Sequence, residues 1–221
     1  MSSSKSHSRR PWWSTLGIYA GLSLAAFIMV IPLLFSFVTA FKSPQDFASH
    51  SPFALPSPPS LASFQAILTG RVNFGDAIIT TLLMVVVMVV GQLVSSVLAA
   101  YAFARIEFPG REVIFWLFLG TMMIPASVLV IPLYLMMAKM GLNNTFWGIV
   151  LPFVFASPYA VFLLRQSFRQ IPQEIIDAAT MDGAGQMRIL FSIVVPVSKP
   201  IISTLVLITV VSQWNSFMWP R

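Results

Sequence analysis

Five long apolar segments constrain this chain more than any other feature of its sequence. A helix needs roughly 20 consecutive apolar residues to cross the hydrocarbon core of a bilayer. Of the 221 residues, 57% are hydrophobic and 9% are charged, whereas soluble domains carry about 25% charged residues. The sequence therefore predicts an all-α polytopic protein in a lipid bilayer, with spans at about 14–41, 77–104, 113–140, 146–164 and 201–218.

The polar segments predict how these spans are oriented. Residues 1–13 are polar and basic, and we expect them to form a tail ahead of a single transmembrane domain over residues 14–221. The first apolar segment is too long for the core of a signal peptide, so it is predicted to remain as a span. Nine of the 13 Lys and Arg residues lie on the side of the tail and of residues 165–199. Both are therefore predicted to face the cytoplasm. Basic residues spread over short loops do not indicate nucleic-acid binding.

The sequence lacks the groups that most catalytic sites need. It contains no cysteine, no Gly-x-x-x-x-Gly-Lys-Ser/Thr phosphate loop and no recognisable catalytic or metal-binding cluster. His7 and His50 lie in a polar tail and a loop, where solvated side chains are expected. No predicted span has an ionisable residue in its central part, although ion-driven carriers usually need one. We therefore expect a chain that is not an enzyme and binds no metal or cofactor; if it transports a solute, its energy comes from outside the chain.

The connection between the fourth and fifth spans, residues 165–199, holds most of the charge in the second half of the chain. Pro172 suits the first turn of a helix. Glu174 and Asp177 follow it, where carboxylates complement the positive helix end. Gly183 can adopt the left-handed conformation that ends a helix. Residues 188–195 are predicted to form a second short helix, so we expect a helix–turn–helix outside the bilayer.

The spacing within this connection resembles the EAA loop of the permease subunits of ABC importers. That loop reads Glu-Ala-Ala, three residues, Gly, nine residues, Ile, one residue and Leu-Pro. Here Asp177-Ala178-Ala179 is followed at the same spacing by Gly183, Ile193 and Val195-Pro196. Asp stands for Glu and Val for Leu. The continuation Asp182-Gly183-Ala184 resembles the sugar-uptake branch, which includes the maltose and glycerol-phosphate permeases.

Three shorter segments resemble other parts of these permeases. Phe108–Arg111 resembles a cytoplasmic Phe-Pro-Gly-Arg turn, and Gly141–Thr145 resembles an outer turn. Trp214–Pro220 resembles a Trp-Asn-x-Phe-x-Trp-Pro signature at the outer end of a span. Related permeases continue through a sixth span. The resemblance therefore implies a MetI-like helical bundle in which five of six expected spans are visible.

The resemblance also implies a function and a set of partners. It implies the permease subunit of an ATP-driven importer for a sugar or sugar-related solute in a bacterial-type inner membrane. The partners would be a second permease subunit, an ATPase dimer that binds the ATP, and an extracytoplasmic solute-binding protein. In the family the loop forms a coupling helix that docks on the ATPase. The resemblance thus assigns contacts with the ATPase to Glu174, Asp177, Ala178, Ala179, Asp182, Gly183 and Ala184.

Polar residues in or near spans tend to face protein or a cavity rather than lipid. On that ground Gln92, Gln213 and Asn215 are candidates for the substrate path. Two alternative functions remain open at this point. An ion-driven secondary carrier would depend on an ion gradient and be indifferent to ATP. An inactive shortened permease would result if the natural protein lacked the sixth span.

Overall fold

The computed structural model describes residues 12–51, 53–70 and 74–216. Every regular element in these three stretches is helical, which confirms the predicted all-α class. Residues 1–11 of the predicted tail, Arg71 and the end of the Trp214–Pro220 signature lie outside the described residues, whereas Trp12 and Trp13 belong to the first helix. The helices are α1 (Trp12–Ala40), α2 (Pro44–Ser49), α3 (Ala62–Thr69), α4 (Phe74–Arg105), α5 (Arg111–Gly120), α6 (Ala126–Lys139), α7 (Phe146–Val150), α8 (Pro158–Arg169), α9 (Gln173–Met181), α10 (Gln186–Ile189), α11 (Val195–Val197) and α12 (Lys199–Trp214).

The described residues fall into two compact units that divide between Ala77 and Ile78. The first unit contains α1, α2 and α3. Between α1 and α3 the chain is held by buried Lys42, whose Nζ donates to the carbonyl oxygen of Ser51 at 3.0 Å. The Ser63 hydroxyl donates to the carbonyl oxygen of Lys42 at 3.2 Å. The Ser- and Pro-rich connection is therefore locally folded around the end of α1.

Among the described residues, α1 and α4 are the two helices that are each long and apolar enough to cross a membrane without a break. Their bounds lie close to the predicted spans 14–41 and 77–104. Pro32 lies inside α1 without ending it. The Ser36 hydroxyl donates to the carbonyl oxygen of Pro32 at 2.9 Å, one of the ways in which a polar side chain is satisfied within an apolar helix.

The other three predicted spans correspond to bent pairs of helical segments, but the first segment of the last pair, Gln186–Val197, lies before the predicted span at 201–218. The segments Arg111–Met123 and Ala126–Lys139 meet at 99°, Phe146–Phe153 and Pro158–Arg169 at 41°, and Gln186–Val197 and Lys199–Trp214 at 79°. Counting each pair as one span gives the five spans that the sequence predicts. By length and composition alone, the structure therefore agrees with the predicted number of apolar crossings.

Pro125 and Pro132 predict two breaks in the third span, and only one of them is observed. Pro125 precedes the first residue of α6, and Ile124 before it is extended, with ψ 116°. Steric clash with the proline ring favours that conformation. The break predicted at Pro132 is wrong, because Pro132 lies inside α6. A proline removes one backbone donor, but its fixed φ is compatible with a helix.

The core of the second unit joins α4, α5, α8 and α12 to the connection that follows α8. The second span carries small residues, Gly91 and Ser96 among them, which predict close helix packing; α4 does approach the fourth span closely. A Cβ on Gly91 would lie 2.3 Å from Cγ2 of Val154. The hydroxyl of buried Ser96 accepts from the backbone N–H of Ser157 at 3.2 Å. The fully buried apolar side chains of this core include Phe115, Val161, Leu164, Phe168, Ile189, Leu190 and Val194.

Candidate functional site

The predicted EAA loop contains a nine-residue helix, α9, with well-defined ends. It begins directly after Pro172, which is extended at ψ 136° and so caps the helix instead of lying in its first turn. At the other end Gly183 is left-handed, with φ +79°. The N–H of Gly183 donates to the carbonyl oxygen of Thr180 at 3.0 Å, and that of Ala184 to Ala179 at 2.9 Å. This pair of bonds is a Schellman motif, which confirms the predicted turn at Gly183.

One face of α9 packs inward and the other is exposed. Ile176 is 6% exposed and joins the core, with Ala179 and Ala184 half-buried against it. Burying an isoleucine side chain contributes roughly 1.5–3 kcal/mol, so this face holds the helix on the membrane-spanning part of the second unit. Met181, in contrast, is 88% exposed. Apart from Ala179 and Ala184, the residues predicted to contact the ATPase are also exposed: Glu174, Asp177, Ala178, Asp182 and Gly183.

The exposed face of α9 combines acidic and apolar groups. Glu174 lies in the first turn, where a carboxylate interacts favourably with the helix dipole. Asp177 accepts from Nε2 of Gln173 at 2.9 Å. Ile175 and Met181 are exposed on the same short helix. Such a surface offers both a charge and an apolar area to another protein.

The segment after the turn is helical over a longer stretch than the predicted 188–195. It runs as α10, a π-helical turn over Leu190–Val194, and α11. In the π-helical turn the N–H of Val195 donates to the carbonyl oxygen of Leu190. The next residue, Pro196, has no N–H and disfavours the regular α-helical bond at this point. Pro196 and Pro200 are the residues from which an irregular helix could have been predicted here.

The cytoplasmic end predicted for α4 contacts the α9 segment through two side chains that the sequence analysis did not select. The hydroxyl of Tyr101 donates to Oε1 of Gln186 at 2.6 Å. One terminal nitrogen of Arg105 donates to Oε1 of Gln173 at 2.6 Å. The other donates to the carbonyl oxygens of Phe168 and Ile171, each at 2.5 Å. The available signal was a tyrosine and an arginine four residues apart at the end of a span.

Arg165 of α8 forms a further set of polar contacts, with α4 and α5. Its side chain is 4% exposed, and its Nε donates to the carbonyl oxygen of Phe103 at 3.1 Å. The guanidinium also pairs with the Glu112 carboxylate and lies 3.9 Å from the centre of the Phe115 ring. These partners satisfy the buried charge of Arg165. Helix α8 continues past residue 164, the predicted end of the fourth span, and ends at Arg169.

The three polar candidates for the substrate path do not share one site. Gln213 is half-buried and lines a cavity of about 140 Å³ together with Met84, Val85 and Met88 of α4. Gln92 is half-buried in α4 and is not among the residues that line this cavity. Asn215 is exposed, and its side-chain amide donates to the carbonyl oxygen of Val211 at 2.8 Å. Within the described part of the chain, no three His, Asp or Glu side chains are grouped so that they could hold a metal ion.

The helical bundle with an exposed amphipathic helix between two spans is typical of membrane transport components. Residues 92–221 match the family described as binding-protein-dependent transport system inner membrane component. This match covers more than half of the sequence, and the chain belongs to that family. The resemblance stated from the sequence is therefore confirmed.

Two curated relatives and one solved structure are similar over most of the chain. The diacetylchitobiose uptake system permease protein NgcG of Streptomyces coelicolor is 31% identical over 203 residues, which are 91% of this chain and 67% of the relative. The sn-glycerol-3-phosphate transport system permease protein UgpE of Yersinia pestis is 32% identical over 204 residues, 90% of this chain and 72% of the relative.

The solved structure is a bacterial ABC transporter involved in the import of the acidic polysaccharide alginate. One of its chains superimposes with a TM-score of 0.83 at 26% sequence identity. The superposition covers 96% of this chain and 75% of that chain. The fold is therefore that of an ABC importer permease, as the EAA spacing predicts.

Proposed function

We propose that this chain is the permease subunit of an ATP-driven importer for a sugar or a sugar-related solute, and that α9 couples it to a separate ATPase. The observation that carries the proposal is the amphipathic α9 between two apolar segments. Its inward face is fixed to the core through Ile176, and its acidic and apolar outward face is exposed. A short helix that is rigidly attached on one side and exposed on the other suits the transmission of a rigid-body movement.

The proposed roles of the site residues follow from their positions. Glu174, Asp177 and Asp182 provide charge on the exposed face, where they would pair with basic groups of the ATPase. Ala178 has a small side chain and allows close approach from outside. Ala179 and Ala184 instead pack towards the core, so their small side chains allow α9 to lie close to it. Gly183 provides the left-handed residue that ends the helix.

The remaining parts of the proposal concern the partners and the solute. The family description names a binding-protein-dependent system, which supports an extracytoplasmic solute-binding protein. The other partners that we propose are a second permease subunit and an ATPase dimer that binds ATP. The N-terminus and α9 would both face the cytoplasm. The names of the relatives refer to a chitobiose derivative, a glycerol phosphate and alginate. These compounds support a sugar or polyol derivative as the solute.

The test is co-purification of this chain with its partner permease and ATPase, followed by measurement of ATP hydrolysis. The variant Asp177→Lys/Gly183→Pro reverses a charge on α9 and places a proline at φ +79°, which a proline ring cannot adopt. We expect the wild-type complex to be stable, and the variant to lose the ATPase or to hydrolyse ATP without regulation by the binding protein. Glu107→Lys is the control, because it reverses an exposed charge in the loop between α4 and α5.

Two outcomes would contradict the proposal. If the variant behaved like the wild type in assembly and ATP hydrolysis, α9 would not be the coupling element. If transport followed an imposed ion gradient and did not respond to ATP, the chain would be a secondary carrier.

A further inference from the structure

The cytoplasmic end of α4 holds the α9 segment on both sides. Tyr101 and Arg105 are four residues apart and therefore lie on the same face of α4. Arg105 contacts Gln173, the first residue of α9, and Tyr101 contacts Gln186, which begins the helix after the Gly183 turn. The two contacts thus bracket α9 and its turn.

Both contacts restrict how the α9 segment can move relative to α4. Arg105 donates to the carbonyl oxygen of Phe168 in the last turn of α8 and to that of Ile171, which follows the helix. A helix leaves its last carbonyl groups without intrahelical partners, and a cation there is favourable. The planar guanidinium reaches several acceptors at fixed angles, which a lysine cannot do. The Tyr101 side chain is 3% exposed, so its hydroxyl has little freedom to exchange Gln186 for water.

Helix α4 also reaches the cavity at the other end of the same unit. Met84, Val85 and Met88 of α4 line the cavity that contains Gln213. Val85 is 16 positions before Tyr101 in one unbroken helix, a distance of about 24 Å along the axis. A displacement of the cytoplasmic end of α4 therefore also moves one wall of this cavity.

We propose that Tyr101 and Arg105 are positioning residues for coupling: they clamp α9 to α4, so that movement of α9 displaces α4 and its cavity wall. This proposal rests on the proposed function, because α9 must receive the movement from the ATPase. In this proposal, α4 carries the movement from α9 to the cavity wall. Without the clamp, α9 would still move when ATP binds, but the far end of α4 would not follow.

The experiment measures that movement directly. The chain contains no cysteine, so nitroxide labels can be attached at Leu82→Cys and Asn143→Cys, two exposed positions. The complete complex in lipid nanodiscs receives MgATP and vanadate, and the label distance is measured by electron paramagnetic resonance. We expect the trapped wild-type complex to show a second distance population.

The test variant is Tyr101→Phe/Arg105→Lys, which keeps the aromatic ring and the positive charge. A net hydrogen bond contributes about 1 kcal/mol, or about a fivefold change in an equilibrium. We therefore expect the shifted population to fall about fivefold or more, while vanadate-sensitive ATP hydrolysis is retained. The matched control is Tyr159→Phe/Arg111→Lys, with the same substitutions at a half-exposed tyrosine of α8 and at the first residue of α5. The control should keep the shift.

A second variant keeps the proposal falsifiable if the first one fails to assemble. Gln186→Leu removes the acceptor of the Tyr101 hydroxyl from an exposed position. Tyr101→Phe and Gln186→Leu break the same bond, so their effects on the shift should not add, whereas independent sites add. Additive effects, or an unchanged shift in both variants, would overturn the clamp. If the wild-type complex itself gave no shift and did not assemble with an ATPase, the proposed function would fail together with the clamp.

Discussion

Gly183 and Gly185 are two residues apart but occupy different backbone conformations. Gly183 has φ +79°, whereas Gly185 has φ −72° and ψ 161°. Nothing lies within 4 Å of a Cβ added at either position. Any difference between alanine substitutions at these two positions therefore reports backbone conformation and not side-chain packing.

We predict that Gly183→Ala lowers the free energy of unfolding by about 1–2 kcal/mol, because a side chain is disfavoured in the left-handed region. Gly185→Ala should change it by only a few tenths of a kcal/mol, since the conformation of Gly185 is open to any residue. The measurement is the thermal unfolding midpoint of each purified variant in the same detergent. Equal midpoints for the two variants would contradict the left-handed conformation of Gly183.

At the residue level, the sequence predicted the turn at Gly183 because glycine has a local conformational preference. It did not predict Tyr101, Arg105 or Arg165 as contact residues. Basic residues at span ends are already explained by the positive-inside rule. Their actual partners, such as the carbonyl oxygen of Phe103 for Arg165, depend on which helices are neighbours. That information is not local in the chain.

At the level of single elements, the helices were predicted better than their bends. Pro125 and Pro132 carry the same chemical signal, yet only Pro125 lies at a break. A freed carbonyl group can be satisfied by neighbouring helices and side chains within a bundle. Whether a proline breaks or only interrupts the bonding of a helix therefore depends on packing, which the sequence pattern does not contain.

The close packing of α4 against the fourth span can be tested with one methyl group. A Cβ at Gly91 would lie 2.3 Å from Cγ2 and 2.8 Å from the carbonyl oxygen of Val154. Because the backbone itself would have to move, we predict that Gly91→Ala destabilises the protein by about 1–3 kcal/mol. Gly120→Ala is the control, since nothing lies within 4 Å of its Cβ.

The unfolding midpoints of these two variants provide the measurement. Gly120→Ala should be neutral or slightly stabilising, because alanine favours helical backbone more than glycine does. A Gly91→Ala variant as stable as the wild type would mean that α4 and the fourth span are farther apart than the structure shows.

At the level of the whole molecule, the number of apolar crossings and the helical class followed from composition and segment length alone. The arrangement of the core did not. The core joins four spans to the connection after α8, through Ile176, Ile189 and Val194. These residues belong to a segment that the sequence placed outside the bilayer, and their burial depends on contacts between positions far apart in the chain.

The predicted orientation can be tested because the chain has no cysteine. We predict that Met181→Cys reacts with a membrane-impermeant maleimide only when the cytoplasmic face is accessible, since Met181 is 88% exposed on α9. Asn143→Cys, in the exposed turn after α6, should react in intact cells. Labelling of both positions from the same side would contradict the assignment of nine of the 13 basic residues to the cytoplasmic face.

The 99° bend in the third span has a consequence for how the protein is made. Helix α6 has 14 residues, which extend about 21 Å, less than the roughly 30 Å of a bilayer core. The ribosome delivers both halves to the insertion machinery as one apolar segment, and the machinery selects it by hydropathy. We therefore expect the newly made span to enter the membrane in a straighter form and to acquire the 99° bend when the neighbouring helices pack against it.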